Sequence, residues 1–399
     1  MKKKTTKMMA IILATLSCSA CTTLGNSDST SSSSTVKIEK WEYLLDDVTE
    51  VKNVVLLIGD GMGPEQIKAG EIYKGESLNI QKFPYQVKVN TNSLEGTTDS
   101  AAAATAMATG KLTYNGCVGY SLREQTGGNL TELETIVDIA SLMGKSTGVL
   151  TTETIAGATP MGFSGHSVSR NDPTRLINSA ATTSNVNLFA GYTCDEAWNN
   201  IFKYNGYHML ESVDDISEST EDKIFGAYNI TGTAESMTAG EEIAFDYLVT
   251  EALNYLSQDE DGFFLMAEGA HIDHGGHNND MKYMLEELLA FDDAVEATLE
   301  WAKGRTDTVV IVTADHETGG LSLGENVTKE NILETENGNP VNYHWGTTGH
   351  TDTAVWCFIN GADIDFSEYS LASNDLIKNT DIFQIIKDLF EYEVVSYNF

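Results

Sequence analysis

Three continuous apolar runs constrain the fold of this chain most strongly. They cover Val54 to Ile58, Phe263 to Ala267 and Val309 to Thr313, and each is followed directly by glycines, acidic residues or histidines. Apolar runs of this length predict strands that are buried on both faces, as in a sheet covered by helices. Open α/β sheets bind ligands at the carboxyl ends of their strands, so the polar residues after these runs are candidates for one shared site.

Helical patterns separate and follow the strands. Apolar residues recur at helical spacing between Asp280 and Lys303, and again in a closing amphipathic segment from Asp381 to Phe390. This alternation predicts an α/β fold. Residues Gly191 to Gly240 have weak periodicity and are expected to form a peripheral insertion, and Leu323 to Tyr343 is expected to be a second insertion on the surface.

The N-terminal residues predict export of the protein. Several lysines precede a short apolar stretch from Met8 to Leu16, which is too short to span a bilayer. We expect residues 1–20 to be a signal peptide of the lipoprotein type, with Cys21 as the lipidated first residue. A freely secreted protein is the alternative. Residues 21–46 include a Ser-rich tether, and residues 47–399 are expected to form a single large domain.

The charge of the chain restricts its partners. There are 59 acidic and only 24 basic residues, which gives a formal net charge of −35. Such a surface repels nucleic acid and anionic lipid headgroups, so we expect no nucleic-acid partner and membrane contact only through the N-terminal lipid anchor. Solubility or adaptation to salt also accounts for this composition. Cys117, Cys194 and Cys357 remain after processing, and this odd number predicts buried thiols with at most one disulfide.

Acidic residues and histidines that could bind metals follow the predicted strands. Asp60 sits between glycines, Glu268 follows an apolar run, and Asp273 and His277 are separated by His274 and two glycines. An Asp and a His with this spacing can converge on one cation. The further candidates are Asp315, His316 and His350. Each of them alone could be a turn residue or an exposed side chain, but together they indicate a cluster of divalent metals.

A candidate nucleophile accompanies these ligands. Ser100 precedes an alanine-rich segment that predicts a helix, so it lies near a helix N-terminus, where phosphate is bound favourably. A simple N-cap role for Ser100 or Asp99 is the alternative. Arg170 could grip two phosphate oxygens with its planar guanidinium, or form an ordinary surface ion pair.

At these residues the chain closely resembles the alkaline phosphatase family, from about Lys52 to its C-terminus. The resemblance implies a single catalytic domain, over residues 47–399, with a mixed, mostly parallel central sheet between helices, in a homodimer. It also implies two zinc ions and a third cation, usually magnesium. The implied ligands are Asp273, His277 and His350 for the first zinc, Asp60, Asp315 and His316 for the second, and Asp60, Thr159 and Glu268 for the third cation.

The resemblance also implies roles in catalysis. Ser100 would become phosphorylated and complete the shell of the second zinc, Arg170 would hold the phosphoryl group, and Asp99 would position Arg170. Two positions depart from the best-studied patterns. Gly157 falls where relatives commonly carry an Asp or His that supports the third metal and Arg170, and His274 falls where some bacterial members carry Lys. His274 is therefore a possible additional ligand, and the identity of the third cation stays open.

The implied activity is hydrolysis of phosphate monoesters through a phosphoserine, with a broad substrate range and an alkaline optimum. Related phosphodiesterases, sulfatases and phosphoglycerate mutases are the nearest alternatives. Sulfatases require a Cys or Ser followed by x-Pro-x-Arg, whereas four alanines follow Ser100 here. A lipoprotein that only binds metal or phosphate is a more distant alternative, because it would not need a serine at this place.

Overall fold

We describe a computed structural model that covers residues 50–122, 130–192, 195–228, 230–231, 243–369 and 376–391. All of these residues belong to one compact unit, Lys40–Phe399. The predicted signal peptide, Cys21, the Ser-rich tether and Cys194 lie outside the described residues. The other two cysteines, Cys117 and Cys357, are buried free thiols.

The described strands are numbered here in chain order. The first ten are β1 (Asn53–Gly59), β2 (Tyr85–Asn90), β3 (Tyr120–Leu122), β4 (Leu130–Glu132), β5 (Ser146–Thr154), β6 (Leu188–Tyr192), β7 (His208–Leu210), β8 (Ile224–Ala227), β9 (Ile230–Thr231) and β10 (Ile243–Ala244). The other ten are β11 (Phe263–Gly269), β12 (Thr308–Thr313), β13 (Glu317–Thr318), β14 (Leu321–Leu323), β15 (Thr335–Glu336), β16 (Asn339–Pro340), β17 (Tyr343–Trp345), β18 (His350–Thr351), β19 (Val355–Asn360) and β20 (Leu376–Lys378).

Ten of these strands form the central sheet, in the order β20-β2-β19-β12-β1-β11-β5-β6-β8-β7. Only β19 runs antiparallel to its neighbours, β12 and β2. Every residue of β1, β11 and β12 is buried, because helices cover both faces of the sheet. The prediction of a mixed, mostly parallel sheet between helices is confirmed.

The described helices pack around this sheet and on each other. They are α1 (Pro64–Lys74), α2 (Ser100–Thr109), α3 (Ile136–Leu142), α4 (Ala158–Ser164), α5 (Pro173–Thr183), α6 (Glu196–Tyr204), α7 (Asp214–Glu218), α8 (Phe245–Leu256), α9 (His271–His277), α10 (Met281–Ala302) and α11 (Asn379–Leu389). Short 3-10 turns cover Asn79–Lys82 and Phe366–Glu368. The longest helix, α10, packs against α8, α9 and α1, whereas α2 lies between α4 and α11. No helix among the described residues has the length and apolar character needed to cross a membrane.

The two segments expected to be insertions differ in how they join the sheet. In the stretch after Gly191, β7 and β8 pair with each other and β8 pairs with β6, so this part of the chain extends the central sheet at one edge. Residues 232–242 of the same stretch are outside the described residues. The second segment is bounded by the ladder of β14 and β17 and contains the hairpin of β15 and β16, apart from the central sheet.

Candidate active site

The topology places the polar residues at one edge of the sheet. Strands β12, β1, β11 and β5 are adjacent and parallel, so their carboxyl ends lie side by side. Asp60 follows β1, and Asp315 follows β12 after one residue. Glu268 lies near the end of β11, paired in register with Ile58 on one side and Thr151 on the other. Short loops after these strands thus carry acidic groups from distant parts of the chain to one place.

The first group of side chains consists of Asp273, His277 and His350. One ligand atom from each lies within 4.8 Å of the others. Helix α9 presents Asp273 and His277 one turn apart, with Nε2 of His277 at 3.2 Å from Oδ2 of Asp273. Nε2 of His350 lies 3.2 Å from Nε2 of His277. Three ligands of this kind suit zinc.

Backbone carbonyls set the orientation of both imidazoles in this group. Nδ1 of His277 donates to the carbonyl of Thr348 at 2.6 Å, and Nδ1 of His350 donates to the carbonyl of Thr98 at 2.8 Å. In the neutral rings the Nε2 lone pairs therefore face each other, and a proton or a cation must lie between them. Such carbonyl contacts are the usual support for histidines that bind metal.

The second group is built around His316, which is completely buried. Thr318 uses its single hydroxyl proton to donate to Asp273 Oδ1 at 2.5 Å, so its oxygen accepts from Nδ1 of His316 at 3.1 Å. The Nε2 lone pair of His316 then points at carboxylate oxygens, 3.1 Å from Oδ2 of Asp315 and 3.6 Å from Oδ1 of Asp60. A lone pair facing two carboxylates is unfavourable, and a cation between them would relieve the repulsion, so this group also fits a metal.

A third group lies deeper and consists of oxygen atoms. Four side-chain oxygens at this place are buried without a hydrogen-bond partner, and they belong to Asp60, Thr159, Glu268 and Asp315. Burial, followed by the charge of Glu153, raises the pKa of Glu268 to about 8. Carboxylate and hydroxyl oxygens of this kind are ligands that magnesium prefers. Unpaired buried oxygens are energetically costly, so these four oxygens favour a bound hard cation at this place.

Ser100 lies at the first position of α2 and its hydroxyl reaches the second group. Asp99 is the N-cap, and its carboxylate accepts from the backbone N–H of Ala102 at 3.0 Å. Since Asp99 is the cap, Ser100 is free for another role. Its Oγ lies 3.2 Å from Nε2 of His316, and the side chain is buried. The positive end of α2 stabilises negative charge at this point.

Arg170 is held near the start of α2 by the same Asp99. Nη1 of Arg170 lies 3.2 Å from Oδ2 of Asp99, and Gly116 also donates its N–H to this oxygen at 2.9 Å. The Arg170 side chain is 35% exposed, so it can still receive a ligand from solvent. Asp99 therefore has three structural contacts, with the start of α2, with the backbone of Gly116 and with the guanidinium of Arg170.

His274 lies beside Glu153 and His271. Its Nε2 is 3.7 Å from Oε2 of Glu153, and its ring is tilted over that of His271 with centroids 4.9 Å apart. His166 faces the carbonyl of Leu133 through Nε2 at 3.0 Å.

Sequence reasoning missed two residues of this site, Thr318 and Glu153. A signal for Glu153 exists, because it is an acid at the end of β5, four residues before Gly157.

The sequence of this chain matches one known protein family over most of its length. The family described as alkaline phosphatase matches residues 51–190 and 178–375. This chain belongs to the alkaline phosphatase family. It is 31% identical over 311 residues to alkaline phosphatase 4 of Bacillus subtilis, which covers 72% of this chain and 66% of that protein. It is 28% identical over 334 residues to the alkaline phosphatase of Escherichia coli, which covers 66% of this chain and 70% of that protein.

Alkaline phosphatase 3 of Bacillus subtilis is 32% identical over 296 residues, which is 69% of this chain and 63% of the relative. The chain thus spans a little under two thirds of the length of the two Bacillus relatives.

Solved structures support the same assignment. The alkaline phosphatase of the Antarctic bacterium TAB5 has 30% identity and a TM-score of 0.72, over 87% of this chain and all of that one. A variant of that enzyme, with magnesium bound in the site named M3, matches with the same TM-score and coverage. The alkaline phosphatase of Thermus thermophilus shares the fold at 19% identity, with a TM-score of 0.72 over 90% of this chain and 96% of that one.

Proposed function

We propose that this protein hydrolyses phosphate monoesters to an alcohol and inorganic phosphate, with Ser100 as the nucleophile. The observation that carries the proposal is the place of Ser100. Its hydroxyl is buried at the N-terminus of α2, 3.2 Å from His316 and among the acidic groups of the site. A hydroxyl with only a capping role would not need these neighbours, and Asp99 already caps the helix.

We further propose that the three groups hold two zinc ions and one magnesium ion. Asp273, His277 and His350 would bind the first zinc. Asp60, Asp315 and His316 would bind the second zinc, and the oxygens of Asp60, Thr159 and Glu268 would bind magnesium. Bound cations supply positive charge that favours ionised oxygen nucleophiles and neutralises the charge of a phosphate.

Arg170 would orient the phosphate group of the substrate, and Ser100 would react with it. Arg170, fixed by Asp99, would donate hydrogen bonds to two non-bridging phosphate oxygens in the plane of its guanidinium. Oγ of Ser100 attacks phosphorus, the P–O bond to the alcohol breaks, and a phosphoserine forms. Water then attacks the same phosphorus, and the bond to Ser100 breaks to release phosphate. The activity should rise toward alkaline pH, because both attacking oxygens must lose a proton.

The substrate range should be broad. The groups described here contact the phosphate and its charge, and a site that compensates charge distinguishes leaving groups poorly. We therefore expect turnover of simple aryl and alkyl phosphates. A phosphodiester presents one fewer charged oxygen to Arg170, so the diester of the same alcohol should react more slowly.

The test is the variant Ser100→Ala, assayed on an aryl phosphate monoester and its matched diester. We expect loss of most monoester turnover with zinc and magnesium content near normal, because no metal ligand other than Ser100 changes. The control is Ser322→Ala, which alters an exposed serine on β14 and should retain activity. The wild-type enzyme should also show a burst of alcohol equal to the enzyme concentration. Wild-type activity in Ser100→Ala, or faster reaction of the diester, would contradict the proposal.

We propose in addition that the protein is exported, anchored through lipidated Cys21 on the outer side of the cytoplasmic membrane, and dimeric. The basic and apolar start of the chain and the Ser-rich stretch before the domain support export. Dimerisation rests on resemblance to the family. Mass spectrometry of the mature N-terminus tests lipidation, with a free secreted chain as the contrary result. Light scattering of the purified protein tests the dimer.

A further inference from the structure

Gly157 has no side chain where the structure brings β5 and α4 together, and another residue fills this space. A Cβ built on Gly157 would lie 2.1 Å from Oε1 of Glu153 and 3.1 Å from its carboxyl carbon. The backbone at Gly157 has φ −57°, which any L-residue can adopt. The glycine is therefore required by space and not by backbone conformation. The carboxylate of Glu153 occupies the position that a side chain at Gly157 would take.

This carboxylate lies next to the third group of oxygens. Helix α4 begins directly after Gly157, and Thr159 is in its first turn. Thr151, two residues before Glu153 on β5, donates its hydroxyl to Oε2 of Glu268 at 2.5 Å. The other oxygen of Glu268 has no hydrogen-bond partner, and neither does the hydroxyl of Thr159. Glu153 thus stands two residues along β5 from a direct contact of Glu268, and its charge acts on Glu268.

A further acid at this position is unfavourable for the protein alone. Burial raises the pKa of Glu153, and its charge raises the pKa of Glu268 in turn. The charges of His271 and Arg170 oppose this rise only in part. His274 lies 3.7 Å from the carboxylate but adds little positive charge, because burial lowers its own pKa. A bound divalent cation would compensate the charge of Glu153 and Glu268 together.

We propose that Glu153 is a positioning residue of the third cation site and takes the place that Gly157 leaves open. Its side chain is 23% exposed, so its carboxylate can hold water molecules of the ion's hydration shell. Magnesium keeps several waters when it binds to proteins, and acids that hold these waters raise its affinity. This inference rests on the proposed magnesium site and names one more side chain that builds it.

The direct test measures magnesium binding to the zinc-loaded enzyme without substrate. Calorimetry gives the affinity, and the rise in melting temperature with added magnesium gives a second measure. Glu153→Gln keeps the shape of the side chain and removes its charge. We expect magnesium to bind roughly 10- to 100-fold more weakly, with zinc content unchanged. Glu260→Gln is the matched control, because it makes the same change at an exposed glutamate before β11, at the other end of this strand from Glu268. It should change magnesium affinity by no more than about threefold.

A double-mutant cycle tests whether the two positions share one space. Gly157→Ala should weaken magnesium binding in the wild-type background, because the new Cβ displaces the Glu153 carboxylate. In the Glu153→Ala background the same change should cost much less, since the contact is gone. The nearby carbonyl of Thr154, 2.9 Å from the added Cβ, is present in both backgrounds and cancels in the comparison.

The possible results separate this inference from the proposed function. Magnesium binding by Glu153→Gln within about twofold of wild type would overturn the inference, as would equal loss of zinc and magnesium or additive effects in the cycle. These measurements need no turnover. If Ser100→Ala remained active, the proposed nucleophile would fail while the magnesium result would still stand.

Discussion

The acidic groups of the site make the stability of the metal-free protein depend on pH in an unusual direction. Burial, followed by the charge of Glu153, raises the pKa of Glu268 from its ordinary 4.5 to about 8. Between these two values the folded state holds a proton that the unfolded chain has lost. Stability therefore falls as pH rises across this range, because the folded state binds more protons than the unfolded state.

Two groups, Glu268 and His277, lower the stability in the same direction between pH 6.5 and 8. Burial lowers the pKa of His316 to about 4, so its opposing contribution arises mainly between pH 4 and the ordinary value of 6.5, and only a small remainder falls in this window. The hydrogen bond with Asp273 raises the pKa of His277 to about 9, and the stability from this charge is also lost as pH rises through that value. With a pKa of about 8, Glu268 alone should reduce the free energy of unfolding by roughly 1.5 kcal/mol across this window.

The assay is urea unfolding of chelator-treated protein at pH 6.5 and pH 8, repeated with zinc and magnesium present. The metal-free protein should lose stability, and the loaded protein should not, because bound cations keep the carboxylates ionised in the folded state. Glu268→Gln is the control for the assignment, and its metal-free form should show a smaller fall. Constant or increasing stability of the metal-free wild type over this window would refute the reasoning.

Three further substitutions test individual contacts. Gly275→Ala places a Cβ 2.6 Å from the backbone of Met284, so it should force α9 and α10 apart and lower the melting temperature, measured by calorimetry. Thr318→Val removes the hydroxyl that donates to Asp273, and should weaken zinc binding roughly 10- to 100-fold in competition with a chelator, whereas Thr318→Ser should retain it. Asp99→Ala removes the N-cap of α2, and should lower stability by about 1 kcal/mol and weaken inhibition by inorganic phosphate. Unchanged phosphate inhibition would contradict the second role of Asp99.

The central strands could be predicted because each is buried along its whole length. The run Val54 to Ile58 lies within β1, and Phe263 to Ala267 lies within β11. The site residues at the ends of these strands were accessible for the same reason, since neighbouring parallel strands end at one edge. For these strands, the apolar runs in the sequence and the order of strands in the sheet both place the polar residues at one edge.

Other features depend on contacts between distant segments and leave little local trace. Strands β7 and β8 are short and lie at the sheet edge, where pairing with β6 and not periodicity decides their conformation. Thr318 acts on Asp273, 45 residues earlier in the chain. Glu153 resembles any acid near the end of a strand until the space at Gly157 is known.

The order of strands in the central sheet bears on how the protein is made. Strand β1 is synthesised first, yet its neighbours β11 and β12 begin only at Phe263 and Thr308. Until the ribosome reaches those residues, an apolar strand has both of its edges unpaired, and unpaired edges promote association between chains. The growing chain should therefore need a chaperone on its first strand through most of translation.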